Sequence, residues 1–196
     1  MAKTGRKDVV AQAFGLPAAE AERVLQKHLR KRPRDLAAAE ALADLLAGNN
    51  RLGELADRLP GLARTRSATA GLLRYASDAA VLRGDHSTAL EMSTLGTERF
   101  PEDAMLWYRR GRAELAQANA PAAAKSFKTA HDLEPDDTII LAALADADLS
   151  RGSFPLSDQY AIAILKREPD VASHHARLGT AHRLNNKLDE AEACFR

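Results

Sequence analysis

Residues 104–137 read AMLWYRRGRAELAQANAPAAAKSFKTAHDLEPDD. The segment closes on Pro135, and prolines recur from there at a fixed distance. Pro101 lies 34 residues before it and Pro169 lies 34 residues after it. Pro33 lies 68 residues before Pro101, with Ser67 at the midpoint. A period of this length marks an array of helical hairpins. One hairpin cannot bury its own apolar face, so neighbours stack and leave an extended concave surface.

With each repeat ending two residues after its proline, the units are 2–35, 36–69, 70–103, 104–137, 138–171 and an incomplete 172–196. In 104–137, Trp107 is fourth, Gly111 eighth, Ala123 twentieth, Phe127 twenty-fourth, Ala130 twenty-seventh and Pro135 thirty-second. The unit 138–171 carries Leu141, Leu144, Ala145, Gly152, Ile164 and Pro169, and 172–196 carries Leu178, Gly179, Ala191 and Phe195. The unit 70–103 carries Leu73, Ala76, Ser77, Gly84, Ala89, Gly96 and Pro101. In 36–69, Leu55 and Leu62 replace the two small residues of the second helix, and in 2–35 only Pro17–Lys31 reads as a good helix. These residues resemble the tetratricopeptide repeat (TPR) family, strongly over 70–196 and more weakly over 2–69. The resemblance implies an all-α, right-handed superhelical solenoid of antiparallel helix pairs, a single array of about five and a half repeats.

The pattern has a direct physical reading. Small residues at the eighth, twentieth and twenty-seventh positions let the helices of a hairpin approach closely, and a larger side chain there overpacks the contact. Large apolar residues at the fourth, seventh and twenty-fourth positions fill the space between helices, each contributing about 1.5–3 kcal/mol when fully buried. The proline lacks an N–H and restricts the residue before it, which ends the second helix. Asp35, Thr69, Asp103, Asp137 and Asp170 then stand where the next helix needs an N-cap. Pro121 and Pro155 fall in the first turn of second helices, where proline is tolerated.

Composition fits this picture. The chain has 196 residues, 45% apolar and only 5% aromatic, with a formal net charge of +1. A charge so near zero exerts no global pull on nucleic acid or anionic lipid. The charge is uneven, however: residues 1–35 hold nine Lys/Arg against four acids. Cys194 is the single cysteine, so no intrachain disulfide forms, as suits a reducing compartment. No stretch approaches the roughly 18 apolar residues of a membrane span. A cytoplasmic protein without a membrane partner is expected. The last unit stops within its second helix, which points to a segment of a longer protein or to self-association through that end.

The resemblance places a partner groove on the first helices, at positions two, five, six, nine, twelve and thirteen. These positions include Arg74, Tyr75, Asp78, Tyr108, Arg109, Arg112, Asp146, Arg177, Thr180 and Arg183. Tyr108, Arg109 and Arg112 are the expected central anchors, flanked by Arg74 and Arg177. Arginine and tyrosine are enriched at interface hot spots, and five arginines against two aspartates suit an acidic peptide or a terminal carboxylate. The Lys–Asn clamp of chaperone-binding members is absent, since the fifth and ninth positions are Glu40 and Asp44, then Arg74 and Asp78.

Other constellations are weaker. The basic run Gln26–Arg34 reads first as a helix C-terminus whose cations offset the macrodipole, and nucleic acid is not the expected partner. His174, His175 and His182 lack the i, i+4 spacing of a helical zinc site, so no metal is expected. No phosphate loop, nucleophile elbow or paired-carboxylate signature is present. The expectation is therefore a non-catalytic protein-binding scaffold without a cofactor. The resemblance also allows an accessory, substrate-docking arm of a larger transferase, such as a sulfotransferase or glycosyltransferase, with its catalytic domain beyond residue 196.

Overall fold

The computed structural model describes residues 9–196, and every regular element among them is helical. The elements are α1 (Val9–Phe14), α2 (Ala18–Lys31), α3 (Leu36–Gly48), a 3₁₀ turn (Leu52–Leu55), α4 (Leu59–Ala63), α5 (Ala70–Leu82), α6 (His86–Arg99), α7 (Ala104–Ala116), α8 (Ala120–Leu133), α9 (Thr138–Ser150), α10 (Phe154–Arg167), α11 (Ala172–Leu184) and α12 (Leu188–Phe195). The chain forms two compact units that divide between Gly96 and Thr97, within α6. The first holds the pairs α1/α2, α3/α4 and α5/α6. The second holds α7/α8, α9/α10 and α11/α12.

Local chemistry at both ends of the first helices sets the repeat frame. Asp35, Thr69, Asp103 and Asp137 cap α3, α5, α7 and α9, each accepting a backbone N–H from the first turn at 2.8–3.1 Å. Asp170 does not cap α11. The register puts Val171 at the N-cap, with no side chain to accept a bond. At the other end, the fifteenth residue of five successive repeats has positive φ: Asn50 (56°), Gly84 (74°), Ala118 (59°), Gly152 (77°) and Asn186 (59°). The following residue's N–H returns to a carbonyl five residues back: Arg51 to Leu46, Asp85 to Ala80, Asn119 to Glu114, Ser153 to Asp148 and Lys187 to His182, all at 2.8–2.9 Å. This left-handed cap closes the helix and reverses the chain into its partner. Ala118 is the one occupant that carries a Cβ without a side chain able to bond locally.

The first unit departs from the expected pattern twice. The repeat 2–35 has two helices, because the short α1 seats Ala13 in the core beside α2. Six residues are too few to signal helix by propensity alone. In 36–69 the second helix is broken into the 3₁₀ turn and α4. Pro60 has no N–H to give to the preceding turn, so a helix through residues 52–63 is interrupted there and restarts with Pro60 in its first turn. Leu52, Leu59 and Leu62 keep their places in the core.

In the second unit the small-against-large scheme is visible atom by atom. A Cβ on Gly111 would lie 2.6 Å from the ring of Phe127, which is wholly buried. Ala123, Leu144 and Ala147 complete that cluster, and Ala104, Ala130 and Ile140 form a second with Met105, Trp107 and Leu133 packed against it. Trp107 is half-buried, and its indole Nε1 donates to the Pro101 carbonyl at 2.7 Å. His175 occupies the same repeat position, and its Nε2 donates to the Pro169 carbonyl at 2.7 Å. A fourth-position ring thus tethers its helix to the preceding loop in both repeats.

Two stability outcomes are expected. Gly111→Val forces the immobile Phe127 ring aside and lowers the unfolding free energy by about 1–3 kcal/mol. Ala118→Gly relieves the left-handed strain and raises it by about 0.5–1 kcal/mol. Urea titration followed by circular dichroism checks both. A neutral result for Gly111→Val would mean that the hairpin is not closed by this contact.

Candidate functional site

The first helices α7, α9 and α11 of the second unit wall a cavity of about 430 Å³. Its floor is Ala142 and Ala143 on α9. One wall is Tyr108 and Arg112 on α7, and the other is Asp146, His174 and Arg177. The composition of α9 explains why the space is empty. Fifth and sixth positions elsewhere carry Glu40 and Ala41, Arg74 and Tyr75, Tyr108 and Arg109, or Ala176 and Arg177. Only the repeat 138–171 has alanine at both.

The walls are ordered by rungs that join a ninth-position residue to the sixth-position residue 31 places later. Arg177 clamps Asp146, with Nε to Oδ1 at 2.7 Å and Nη2 to Oδ2 at 3.2 Å. In the first unit, the Tyr75 hydroxyl donates to Asp44 Oδ1 at 2.5 Å. The matching pair at the cavity is Arg112 and Ala143, and Ala143 has no group to complete a rung.

Arg112 instead stacks on Tyr108, its guanidinium 5.7 Å from the ring centroid, a cation–π geometry. Tyr108 in turn lies 5.9 Å from the buried Phe127 ring. The core aromatic therefore sets the position of the cation at the rim.

The acids of the cavity are already engaged. Glu168 accepts from Thr138 Oγ1 and from His174 Nε2, both at 2.7 Å, and the Thr138 hydroxyl, then His174, holds its carboxyl below the ordinary range. His174 Nδ1 faces Arg177 Nη1 at 3.4 Å. An imidazole that donates from Nε2 and accepts at Nδ1 satisfies both contacts together. Asp146 is neutralised by Arg177. Arg112, exposed on the opposite wall, is a second cationic group lining the cavity.

Of the ten residues expected to line a groove, Tyr108, Arg112, Asp146 and Arg177 meet at this cavity. Arg109 does not line it: its Nη1 donates to the Met105 carbonyl of its own helix at 3.1 Å. Thr180 bonds back to the Ala176 carbonyl at 2.8 Å, and Arg183 is exposed away from the cavity lining. Arg74, Tyr75 and Asp78 belong to the first unit, where Tyr75 lines a separate space of about 320 Å³ with Phe14, Glu40, Ala41 and Asp44. Position-by-position reasoning missed Thr138, Glu168 and His174. The signal available for them was the run of polar residues at a repeat junction, which reads equally well as loop.

The remaining histidine and the cysteine lie elsewhere. His182 is buried with Nδ1 3.3 Å from Asp158 Oδ2, and the Lys187 ammonium contacts the same oxygen at 2.8 Å. Burial, then the charge of Asp158, pushes the Cys194 thiol up. Among the described residues no helix is long and apolar enough to cross a membrane.

No protein-family model and no curated protein matches the chain. Solved structures do. A tetratricopeptide repeat protein from Parabacteroides merdae is 15% identical, with TM-score 0.75 over 96% of this chain and 76% of that one. PilF of Pseudomonas aeruginosa is 15% identical, with TM-score 0.76 over 96% of this chain and 88% of that one. YrrB, described as a TPR protein with an unusual peptide-binding site, is 16% identical, with TM-score 0.66 over 87% of this chain and 88% of that one. The fold is therefore that of the TPR proteins.

The Tyr75–Asp44 rung has a titration signature. Burial first, and the bond to Asp44 second, push the Tyr75 hydroxyl up to about 12 from an ordinary value of 10.0. A raised value means that the folded state favours the neutral phenol. The contribution to stability is complete below pH 10 and is lost as pH rises through about 12. In an alkaline absorbance titration, Tyr75→Phe removes the highest tyrosine step and Asp44→Asn lowers it. A wild-type curve without a late step would refute the rung.

Proposed function

We propose that this chain is a non-catalytic protein-interaction scaffold, and that the cavity between α7 and α11 docks a peptide segment. The observation that carries this reading is the paired alanine floor, Ala142 and Ala143, between two ordered walls. A large apolar side chain of the ligand enters the gap over Ala142, Ala143 and Ile139. An adjacent carboxylate meets Arg112, whose planar, delocalised charge is held in place by Tyr108. Asp146 on the facing wall does not repel such a ligand, because Arg177 neutralises it, and the Glu168 carboxylate is turned to Thr138 and His174. The TPR fold supports a binding role in general, as does the peptide-binding site described for YrrB.

An array of short synthetic peptides tests the reading, each peptide pairing one large apolar residue with a neighbouring acid. Arg112→Glu weakens the retained peptides by tenfold or more, about 1.4 kcal/mol, whereas Arg109→Glu leaves them unchanged. Ala143→Glu fills the gap over the alanine floor and abolishes binding while the far-ultraviolet circular dichroism spectrum is kept. Retained affinity in Ala143→Glu would remove the cavity from the reading.

A further inference from the structure

Beyond residue 50, most arginines are committed to an acid or a carbonyl. Arg51 holds Glu22 and Glu54, Arg64 holds Glu91, Arg83 holds Asp57, Arg110 holds Glu114 and Arg151 holds Asp148. The surface of α2 breaks this rule. From Arg23 to the end of the helix, the exposed positions are Arg23, Lys27, Arg30 and Lys31, every one cationic. Exposed Arg32 and Arg34 continue the row past the helix. Among the described residues, none of these six makes an ion pair shorter than 4.0 Å, and the Asp35 carboxyl, lowered first by its hydrogen bond to His28, also feels Arg32. The nearest acids on the helix are otherwise Glu20, one turn before the row, and Glu22, which Arg51 and Gln26 occupy.

A helix C-terminus accounts for part of the row only. Cations favour the last turn of a helix, which explains Arg30 and Lys31. Arg23 and Lys27 stand in the middle turns, where the macrodipole offers them nothing. The carbonyl end is moreover served from another element: Arg58 Nη2 donates to the carbonyls of Leu29 at 3.0 Å and Pro33 at 3.2 Å. Arg23, Lys27, Arg30 and Lys31 follow i, i+4, i+7, i+8 spacing and so share one stripe about 12 Å long.

We propose that this stripe seats on the sugar–phosphate backbone of duplex nucleic acid. A protein partner would need an apolar centre, and lysine is depleted from such interfaces. The exposed row has no aromatic or large aliphatic residue. For the same reason it lacks a wedge for the hydrocarbon of a bilayer and a platform for stacking single-stranded bases. Phosphate contacts need only cations at regular spacing, and they fix position without reading sequence. Contact would therefore be independent of base sequence and separate from the peptide cavity, which is in the other unit.

The test is anisotropy of a labelled DNA duplex of about two helical turns with the full chain, across roughly 50 to 200 mM salt. Four to six phosphate contacts predict a log–log slope between about −3.5 and −5.5. The triple variant Arg23→Glu, Lys27→Glu, Arg30→Glu weakens binding at least tenfold and flattens the slope by about 3 units, with an unchanged circular dichroism spectrum. Arg112→Glu leaves duplex affinity as it was. The proposal fails if the duplex does not bind at the lowest salt. It fails equally if the triple variant binds as wild type, which would place the contact elsewhere on the chain. Binding to equimolar phosphatidylcholine–phosphatidylserine vesicles without binding to the duplex would replace it with a lipid surface.

Discussion

The close approach of α7 and α8 at Gly111 is the contact from which the second unit is built. No atom larger than hydrogen fits between that backbone and the Phe127 ring. Because the ring cannot retreat, it fixes the spacing of the hairpin, and it presents its other edge to Tyr108, Leu144 and Ala147. The next hairpin thus takes its seat from the same side chain. Gly179 meets Phe195 at a similar distance, 2.7 Å from a Cβ to the ring, although Phe195 is exposed. Interiors packed to crystal-like density transmit such constraints. The path from Phe127 through Tyr108 to Arg112 shows the consequence: a core contact determines where a charge stands at the rim of the cavity.

A second constraint is polar. Side-chain caps at the start of α3, α5, α7 and α9, and a left-handed residue just past the end of all five first helices, frame a constant length of thirteen residues in α3, α5, α7, α9 and α11. With length and phase both set, residues 31 apart face each other across neighbouring first helices within a unit. The Asp146–Arg177 and Asp44–Tyr75 rungs follow from that frame. So does the gap, since a frame that places rungs regularly leaves a regular-sized hole where a rung residue is alanine.

The repeat frame was legible in the residues themselves. Prolines at 34-residue steps, Gly111 opposite Phe127 and the caps at Asp35, Thr69, Asp103 and Asp137 each carry a local reason for their place, and the structure uses them for that reason. The failures have local reasons too. Asp170 lost the cap to Val171 because a helix start depends on one-residue register, which composition does not specify. The break at residues 52–63 was hidden because its leucines keep helical spacing while Pro60 alone interrupts the ladder. Arg109 and Arg112 are adjacent in the expected groove, yet one guanidinium folds back on its own helix and the other stacks on Tyr108. Repeat position locates a Cα. It does not say where a long side chain ends.

That distinction governs how cations should be counted on such a surface. Exposed ion pairs add about 0–1 kcal/mol each, so the rungs and cross-hairpin pairs contribute little to stability. Their effect is on availability. Asp146 takes Arg177 out of the groove, and Asp136 does the same to Arg167 at the repeat edge. Five groove arginines counted from sequence overstate the positive potential that a ligand meets, because Arg177 is already neutralised. The same bookkeeping understates α2, whose exposed Arg23, Lys27, Arg30 and Lys31 sum to an ordinary helix end on paper but make no ion pair among the described residues. Charge composition near zero is therefore compatible with one compensated cavity and one uncompensated stripe. The partner chemistry of each follows from the local pairing and is invisible in the net charge.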